Sequence, residues 1–326
     1  MSHLPPSFGD RPAEVPEGAG VEPLPPSPDA LAESLTHWRT WIGKRRSVHD
    51  TVTAAPLRGL SATLDRDDPD PAPGDVAPPL AHWLYFLPQA LQRDIGDDGH
   101  PRRGDFLPPV PLPRRMWAGG RFVFHRPLVV GQAATRHSTV TAVDAKMGRS
   151  GLLVFVTVQH DVEDAEGAVL TEWHDIVYRE APQPGAAATA DQKVAVPADA
   201  APVPSFRRTL APDPVLLFRY SALTFNGHRI HYDRSHCRDV EGYPGLVVHG
   251  PLMATMLVDL LRRHRPEAVL ERFAFKALHP VFDTAPLTLC GAEAGNDTWR
   301  LWVADDTGRT TMQAEAVTRV PSSGTP

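Results

Sequence analysis

Apolar residues near the start of the chain recur every three or four positions, which is the spacing of one face of an α-helix. They form two successive groups: Leu31, Leu35, Trp38 and Ile42, then Leu57, Leu60 and Leu64. Asp29 can cap the first of these helices, and Gly43 suits its end. The stretch 66–79, which is rich in proline and aspartate, is typical of a loop.

Beyond this loop the pattern changes to that of β-strands. The apolar run Trp83–Leu87 predicts a short buried strand, whereas residues 99–120 carry many prolines and are predicted to be irregular. From Arg121 onward we predict strands, with a continuous apolar run at Leu152–Val158 and a last strand at Thr171–Tyr178. The first half is therefore helical at its start and then mostly strand.

The second half follows the same order. We predict a strand near Val215–Tyr220, and the strongest helix signal of the chain runs from Gly250 to Arg263. This helix is apolar nearly all round, so other structure must wrap it. Strand patterns follow at residues 273–277, 287–290, 299–304 and 311–320. The order predicts an α+β fold in which a curved antiparallel sheet surrounds one long helix, with the first half a degenerate version of the same plan.

Alanine and proline dominate residues 181–214, which show little apolar periodicity and are predicted to link two domains. The proline-rich beginning of the chain predicts a disordered leader. We therefore divide the chain into a leader (1–29), an N-terminal domain (30–180), the linker (181–214), a C-terminal domain (215–321) and a tail (322–326).

Composition excludes several classes of protein. The 326 residues carry a formal net charge of −6, which argues against nucleic-acid binding because such binding needs a strongly positive face. The two cysteines, Cys237 and Cys290, form neither a disulfide framework nor a CxxC zinc pattern. No apolar stretch approaches the roughly 18 residues of a membrane span, and the first residues lack the features of a signal peptide. We expect a cytoplasmic protein.

Residues suited to proton transfer crowd into the segment YSALTFNGHRIHYD, residues 220–233. Histidine moves protons readily near neutral pH. Adding water to a double bond beside a thioester, or removing it, requires a base for the water and an acid for the α-carbon. We expect a turn through Gly227 to bring Asn226 and His231 together, so that the amide holds the water while the imidazole exchanges the proton.

Two other interpretations of this segment stay open. The same side chains can simply satisfy the hydrogen bonds of a turn, or His228, His231 and His249 can hold a metal ion. No HExxH pattern accompanies them, so we expect no metal.

The start of the apolar helix offers a second chemical feature. Its first backbone N–H group, at Gly250, can stabilise the negative charge that a thioester oxygen gains in such a reaction. A residue without a side chain permits close approach of the ligand. The alternative is an ordinary helix start with no chemical role.

Together these segments resemble the MaoC-like family of hotdog-fold hydratases and dehydratases. In that family an Asp is followed two residues later by an Asn and five residues later by a His, and a helix begins at His-Gly. Asn226, His228 and His231 occupy those three positions here, and His249-Gly250 matches the helix start. An amide cannot act as a general base, so His228 or His231 must carry more of the proton transfer.

The sequences FLPPVPLPRRMWAGGR (106–121) and EGYPGLVVHGPL (241–252) are similar to the two-domain branch of this family. That branch includes mesaconyl-C4-CoA hydratase, itaconyl-CoA hydratase and the mitochondrial-type hydroxyacyl-thioester dehydratase. The resemblance implies a double hotdog, in which two units each wrap a curved antiparallel sheet around a long central helix. It also implies that the N-terminal unit has lost its catalytic residues and helps to shape the acyl pocket.

We expect catalytic roles for Asn226, His228, His231 and Gly250. The residues expected to bind substrate are Arg229, Tyr232, His249, Arg114, Arg115 and Trp117. The arginines among them are candidates for the phosphates of a CoA or carrier arm, or for a substrate carboxylate.

The leading hypothesis is a hydratase or dehydratase that interconverts an enoyl thioester and its 3-hydroxyacyl thioester without a cofactor. The resemblance implies a short dicarboxylic acyl-CoA as substrate. The alternatives are a 3-hydroxyacyl-[acyl-carrier-protein] dehydratase of fatty acid synthesis, a hotdog thioesterase, and a non-catalytic acyl-CoA binding protein. A thioesterase would need a carboxylate near the helix, and Asp233, Glu241 and Asp259 are the nearest. The partner is an acyl-CoA or acyl-carrier thioester, and the chain acts alone or as a homodimer.

Overall fold

The computed structural model describes residues 28–148, 151–180 and 203–320. In the first half, helix α1 (Pro28–Arg39), strand β1 (Arg45–Thr51) and helix α2 (Ala54–Thr63) come first. Four long strands follow: β2 (Arg114–Phe124), β3 (Ala133–Gly148), β4 (Gly151–Asp164) and β5 (Gly167–Arg179). Trp38, Leu57 and Leu60 are buried, as the helical spacing of apolar residues predicts.

The second half contains five strands that match those of the first, and its helices differ. Its elements are β6 (Phe206–Leu210), α3 (Pro214–Leu223), α4 (Gly250–His264), β7 (Val269–Ala277), β8 (Leu287–Gly295), β9 (Thr298–Ala304) and β10 (Thr310–Arg319). The strand order is β1-β3-β4-β5-β2 in the first half and β6-β8-β9-β10-β7 in the second. Each strand of one half thus has a counterpart in the other, which confirms the predicted duplication.

Strands β2 and β7 pair antiparallel and join both halves into one ten-stranded sheet within the described ranges. Gly119 lies opposite Lys276, and Gly120 lies opposite Phe275. A Cβ atom on Gly119 would lie 2.6 Å from the carbonyl oxygen of Phe275, so a residue with a side chain would push the strands apart. The glycine pair therefore permits the close contact between the halves.

Helix α4 forms the centre of the second half. Every residue from Leu252 to Leu261 is buried, and the helix packs on β8 and β9, so the prediction of a wrapped apolar helix is confirmed. The first half differs, because residues 64–113 contain only two short 3₁₀ turns, Ala81–Leu84 and Gln92–Asp94. Among the described residues, a long central helix is therefore present in the second unit alone.

Two predicted strands are wrong. Trp83–Leu87 is buried but turns sharply, because the backbone is left-handed at Leu80 and Phe86, where φ is 67° and 54°. Residues 215–220 belong to helix α3, which Asp213 caps by accepting a hydrogen bond from the N–H of Leu216 at 2.7 Å. Consecutive apolar residues hid the helical period of α3.

The boundaries of two irregular segments also differ from prediction. Strand β2 begins at Arg114, inside the predicted irregular region, and β6 lies inside the predicted linker, where it pairs with β8. The remainder of the linker (181–202), most of the leader (1–27) and the tail (322–326) lie outside the described residues. Within the described ranges, none of the helices has both the length and the apolar character needed to cross a membrane.

Candidate active site

His231 ends a short 3₁₀ turn, Arg229–His231, and its ring is fixed by the backbone. The Nδ1–H group donates a hydrogen bond to the carbonyl oxygen of Val247 at 2.7 Å, since a carbonyl can only accept. The proton therefore sits on Nδ1, and Nε2 keeps its lone pair. Burial lowers the pKa of His231 to about 4, although the bond to Val247 opposes the shift. The imidazole is neutral at neutral pH and can accept a proton.

His249 holds His231 against the start of helix α4. The two rings stack with centroids 3.6 Å apart, and Nε2 of His249 lies 2.8 Å from the Ser221 hydroxyl. His249 is 1% exposed, and it immediately precedes Gly250, the first residue of α4. A Cβ atom on Gly250 would meet no heavy atom within 4 Å, so open space adjoins this helix start. The N–H of Gly250 has no intrahelical partner and is a donor available to a ligand in that space.

His228 lies on the other side of His231. The two ring centroids are 5.3 Å apart and nearly perpendicular, and His228 in turn contacts His100 of the first half, at 4.0 Å between centroids. Burial is the main cause that lowers the pKa of His228, and the positive charges of His100, His231 and Arg115 add to it. Three imidazoles thus lie in a row at the contact between the halves.

Asp98 carries the carboxylate of this row. Its Oδ2 accepts a hydrogen bond from Nδ1 of His100 at 3.0 Å, and its Oδ1 accepts one from the backbone N–H of His100 at 2.9 Å. Burial alone would raise the pKa of Asp98, but these bonds outweigh it and lower the pKa to about 2. Asp98 is therefore ionised and fixes the ring of His100.

Among the described residues, Asp98, His100 and His228 are also the group whose spacing could admit a metal ion, with ligand atoms within 4.8 Å of one another. Both oxygens of Asp98 already accept hydrogen bonds from His100. Each oxygen of the carboxylate is thus engaged by His100.

Three predicted site residues use their polar atoms locally. The amide oxygen of Asn226 accepts the N–H of His228 at 3.0 Å, and the described residues show no hydrogen bond from Asn226 to His231. Tyr232 donates its hydroxyl to the carbonyl of Gly227 at 2.9 Å. Arg229 forms an ion pair with Asp233 at 2.7 Å on the surface. These side chains shape and hold the 226–233 turn.

The adjacent arginines of β2 have different environments. Arg114 is buried and forms an ion pair with Glu241 at 2.9 Å, with its guanidinium over the ring of Tyr243. Arg115 has no carboxylate within ion-pair distance among the described residues. Its charge nevertheless acts on both His228 and His174, which places it between the histidine row and the first-half sheet. Its charge also helps to lower the pKa of Asp98, so Arg115 is a cation close to the histidine row.

Trp117 lies in an aromatic and polar layer on the first-half sheet. It stacks on His174 with ring centroids 3.8 Å apart and donates its indole N–H to the carbonyl of Gly119 at 2.8 Å. Nearby, His82 and Glu172 form a buried pair at 2.9 Å. Trp117 thus lies at the contact between the two halves, against His174 of the first and Phe275 of the second, and its substrate-binding role stays a prediction.

The carboxylates that a thioesterase would need are already paired. Asp233 is bound by Arg229, Glu241 by Arg114, and Asp259 by Arg66 and Arg263 at 2.8 and 2.7 Å. None of the three is free to attack a thioester or to activate water beside Gly250.

The sequence analysis missed Asp98 and His100. Asp98 immediately precedes the proline-rich segment 99–120 and His100 lies inside it, about 120 residues before the histidine motif. The one local signal is the run Asp97-Asp98-Gly99-His100, in which a carboxylate, a flexible residue and an imidazole are adjacent. Nothing in that run indicates which part of the chain it contacts.

Comparison with known proteins confirms the predicted family and fold. The model of the family "Hydroxyacyl-thioester dehydratase type 2" matches residues 80–283. A mesaconyl-C(4)-CoA hydratase of Chloroflexus aurantiacus is 46% identical over 264 residues, which cover 81% of this chain and 91% of the relative.

Two solved structures share the fold at low sequence identity. A MaoC-like dehydratase from Phytophthora capsici superposes with a TM-score of 0.61 at 14% identity, covering 86% of this chain and 97% of the other. A Mycobacterium tuberculosis protein described as having a double hotdog fold gives a TM-score of 0.53 at 16% identity, with 85% and 96% covered. From the matched family, the relative and the duplicated sheet it follows that this chain is a double hotdog hydro-lyase of the hydroxyacyl-thioester dehydratase type 2 family.

Proposed function

We propose that the protein adds water to the double bond of a short dicarboxylic enoyl-CoA and catalyses the reverse dehydration. The observation that carries this proposal is the state of His231, whose Nδ1–H is held by Val247 while Nε2 stays unprotonated beside the helix start at Gly250. The likeness to a protein named mesaconyl-C(4)-CoA hydratase supports the substrate class.

The proposed reaction uses two features of this site. The N–H of Gly250 stabilises the thioester oxygen as it gains negative charge, which lowers the barrier to forming the enolate. The imidazole of His231 exchanges a proton with the bound molecule. The oxygen of water bonds to the β-carbon and one of its hydrogens ends on the α-carbon. The substrate undergoes no net oxidation or reduction, so the chemistry itself calls for no redox cofactor.

Arg115 supports the choice of a dicarboxylic substrate. In mesaconyl-C4-CoA the carbon that water attacks also carries the free carboxylate, so a cation must lie close to the proton-transfer groups. Arg115 meets that requirement, because its charge acts on His228 and it has no carboxylate partner among the described residues. Arg114, one position earlier, is already occupied by Glu241.

The first experiment scores water addition to a panel of enoyl thioesters. Mesaconyl-C4-CoA, itaconyl-CoA and crotonyl-CoA are followed by loss of the enoyl absorbance and by the mass of the product. We expect turnover of a dicarboxylic member, and the variant His231→Ala should lose it by roughly 100-fold or more while remaining folded. Unchanged turnover in that variant would refute the assignment of His231.

A second experiment tests Arg115. The variant Arg115→Gln should lose roughly 10- to 100-fold in kcat/KM for the dicarboxylic substrate, because a hydrogen bond to a charged group contributes about that factor. Its kcat/KM for crotonyl-CoA, which has no free carboxylate, should hardly change. Arg121→Gln is the matched control, because Arg121 lies on the same strand with a 58% exposed side chain. Equal losses on both substrates would show that Arg115 does not select the carboxylate.

The same panel distinguishes the alternatives. Release of free thiol without loss of the enoyl group would indicate a thioesterase, and tight CoA binding without either change would indicate a binding protein. An acyl group offered on a carrier protein and turned over faster than its CoA ester would favour a dehydratase of fatty acid synthesis. Size measurement in solution decides between the monomer and the homodimer.

A further inference from the structure

We propose that the first half of the chain supplies the second proton-transfer group of the active site: His100 is a catalytic residue, and Asp98 is the residue that positions it. This inference rests on the proposed hydration reaction. It assigns a chemical function to a domain that was expected to have lost its catalytic residues.

The first argument is the state of His100. The carboxylate of Asp98 can only accept, so Nδ1 of His100 carries the proton that bonds to Oδ2 at 3.0 Å. Nε2 of His100 is consequently unprotonated, like Nε2 of His231. A carboxylate that fixes the tautomer and orientation of an imidazole in this way is the arrangement by which enzymes prepare a histidine as a base.

The second argument is its location. The ring of His100 contacts that of His228 at 4.0 Å between centroids, and His228 is next to His231 at 5.3 Å. The side chain of His100 is 19% exposed, so it reaches solvent from within this row. His100 is also near enough to influence the pKa of His231. His100 and His231, each with an unprotonated Nε2, therefore lie on either side of His228.

The third argument is that the loop is built to dock at this place. Residues 94–102 close on themselves through a bond from the N–H of Arg102 to the carbonyl of Asp94 at 2.9 Å. The carbonyl of Asp98 then accepts the N–H of Arg229, also at 2.9 Å, inside the histidine motif of the second half. The guanidinium of Arg229 donates to the carbonyl of Asp97 at 3.1 Å.

Two glycines make this docking close. A Cβ atom on Gly99 would lie 1.9 Å from the carbonyl oxygen of Gly227, and one on Gly227 would lie 2.8 Å from the carbonyl oxygen of Gly99. Gly99 also has a φ of +86°, which residues with a side chain rarely adopt. The two backbones are thus in contact next to both Asp98–His100 and His228.

The inference also accounts for the departure at Asn226. The family motif places a carboxylate there, and this chain has an amide whose oxygen accepts the N–H of His228. An amide cannot take a proton from water. The carboxylate missing from the second half is present as Asp98 of the first half, and it acts through His100.

The proton balance of the reaction follows. His100 takes a proton from water as the oxygen bonds to the β-carbon. That proton is transferred to His231, which delivers it to the α-carbon. One water is consumed, and each imidazole ends neutral as it began. Dehydration runs the same steps in reverse.

The experiment measures kcat and KM on an enoyl-CoA that the wild-type protein hydrates. His100→Ala should lower kcat roughly 100-fold or more with KM little changed, because general acid–base catalysis is typically worth that much. Added imidazole should restore part of kcat in this variant. His137→Ala, which removes a half-exposed histidine of the same domain, is the control and should retain wild-type kcat.

Asp98 is tested by a pair of variants. Asp98→Asn should lower kcat about 10-fold or more through the wrong tautomer of His100, and Asp98→Glu should recover part of the loss because it restores the carboxylate. If His100→Ala does not fold, His100→Gln keeps a similar shape and replaces it. Full kcat in a folded His100 variant, or no rescue by imidazole, overturns the inference.

Two controls separate this proposal from others. If the wild-type protein hydrates no enoyl-CoA, the proposed function fails whatever the His100 variants show. If chelator abolishes wild-type turnover and zinc restores it, Asp98, His100 and His228 hold a metal, and the proton-transfer assignment is overturned.

Discussion

The contact between Gly99 and Gly227 gives the sharpest test of an active site assembled from both halves. The perturbation is Gly99→Ala, and Gly43→Ala is its matched control. Both glycines have a φ of +86°, but a Cβ atom on Gly43 would meet nothing within 4 Å, whereas one on Gly99 would lie 1.9 Å from the carbonyl oxygen of Gly227. The backbone strain is therefore the same, and only the contact differs.

The magnitudes follow from these two facts. A left-handed alanine costs about 1–2 kcal/mol of folding free energy, and both variants should lose that amount. In Gly99→Ala the 94–102 loop must also move by roughly 1.5 Å to reach an ordinary contact distance. A displacement of about 1 Å in a catalytic group can cost on the order of 100-fold in rate. We expect that loss in Gly99→Ala alone.

The assay has two parts. Urea unfolding gives the free energy of unfolding of each variant, and hydration of the best enoyl-CoA gives kcat. Comparable stability with a selective loss of kcat in Gly99→Ala is the expected result. Equal activity of the two alanine variants would show that the loop from the first half does not take part in the chemistry.

Three further predictions concern stability. Burial lowers the pKa of His231 and His160 to about 4 in the folded protein, so the unfolded chain binds protons at these histidines first as the pH falls. The free energy of unfolding should therefore decrease between about pH 6.5 and about pH 4, by up to roughly 3 kcal/mol per histidine. A free energy of unfolding that stays constant over this range contradicts the prediction. His82→Leu removes the histidine partner of the buried carboxylate of Glu172, which still accepts from the indole N–H of Trp83, and should cost about 3–5 kcal/mol; Arg319→Leu, at an exposed ion pair, should hardly change the melting temperature. Leu257→Ala empties part of the core around α4 and should cost about 2–5 kcal/mol in urea unfolding, whereas Phe218→Ala, at a side chain that is 62% exposed, should cost little.

Local pattern was sufficient for the elements that bury one face or all faces of a regular structure. The helix at Gly250 and the strands that follow it are confirmed, because each depends on residues close together in sequence. Local pattern was insufficient where every residue is apolar. Residues 215–218 are apolar without a period, and the cap at Asp213 decides that they form a helix.

The histidine motif could likewise be located from the sequence. The structure brings His228, His231, His249 and Gly250 together, but the amide of Asn226 bonds to the backbone N–H of His228 and not to His231 among the described residues. Whether each residue is free to act could not be predicted. Arg114 and Arg115 are adjacent and chemically identical, yet one is held by Glu241, 127 residues later, and the other has no carboxylate partner among the described residues.

The sequence by itself thus determined the kinds of elements, their duplicated order and the family chemistry of the C-terminal motif. Only the tertiary structure decided which groups meet: the pairing of β2 with β7 and the docking of the 94–102 loop bring Asp98 and His100 beside His228. The physical reason is that periodicity and caps act within a few residues, whereas hydrogen bonds and ring contacts between distant segments depend on how the whole sheet closes around α4.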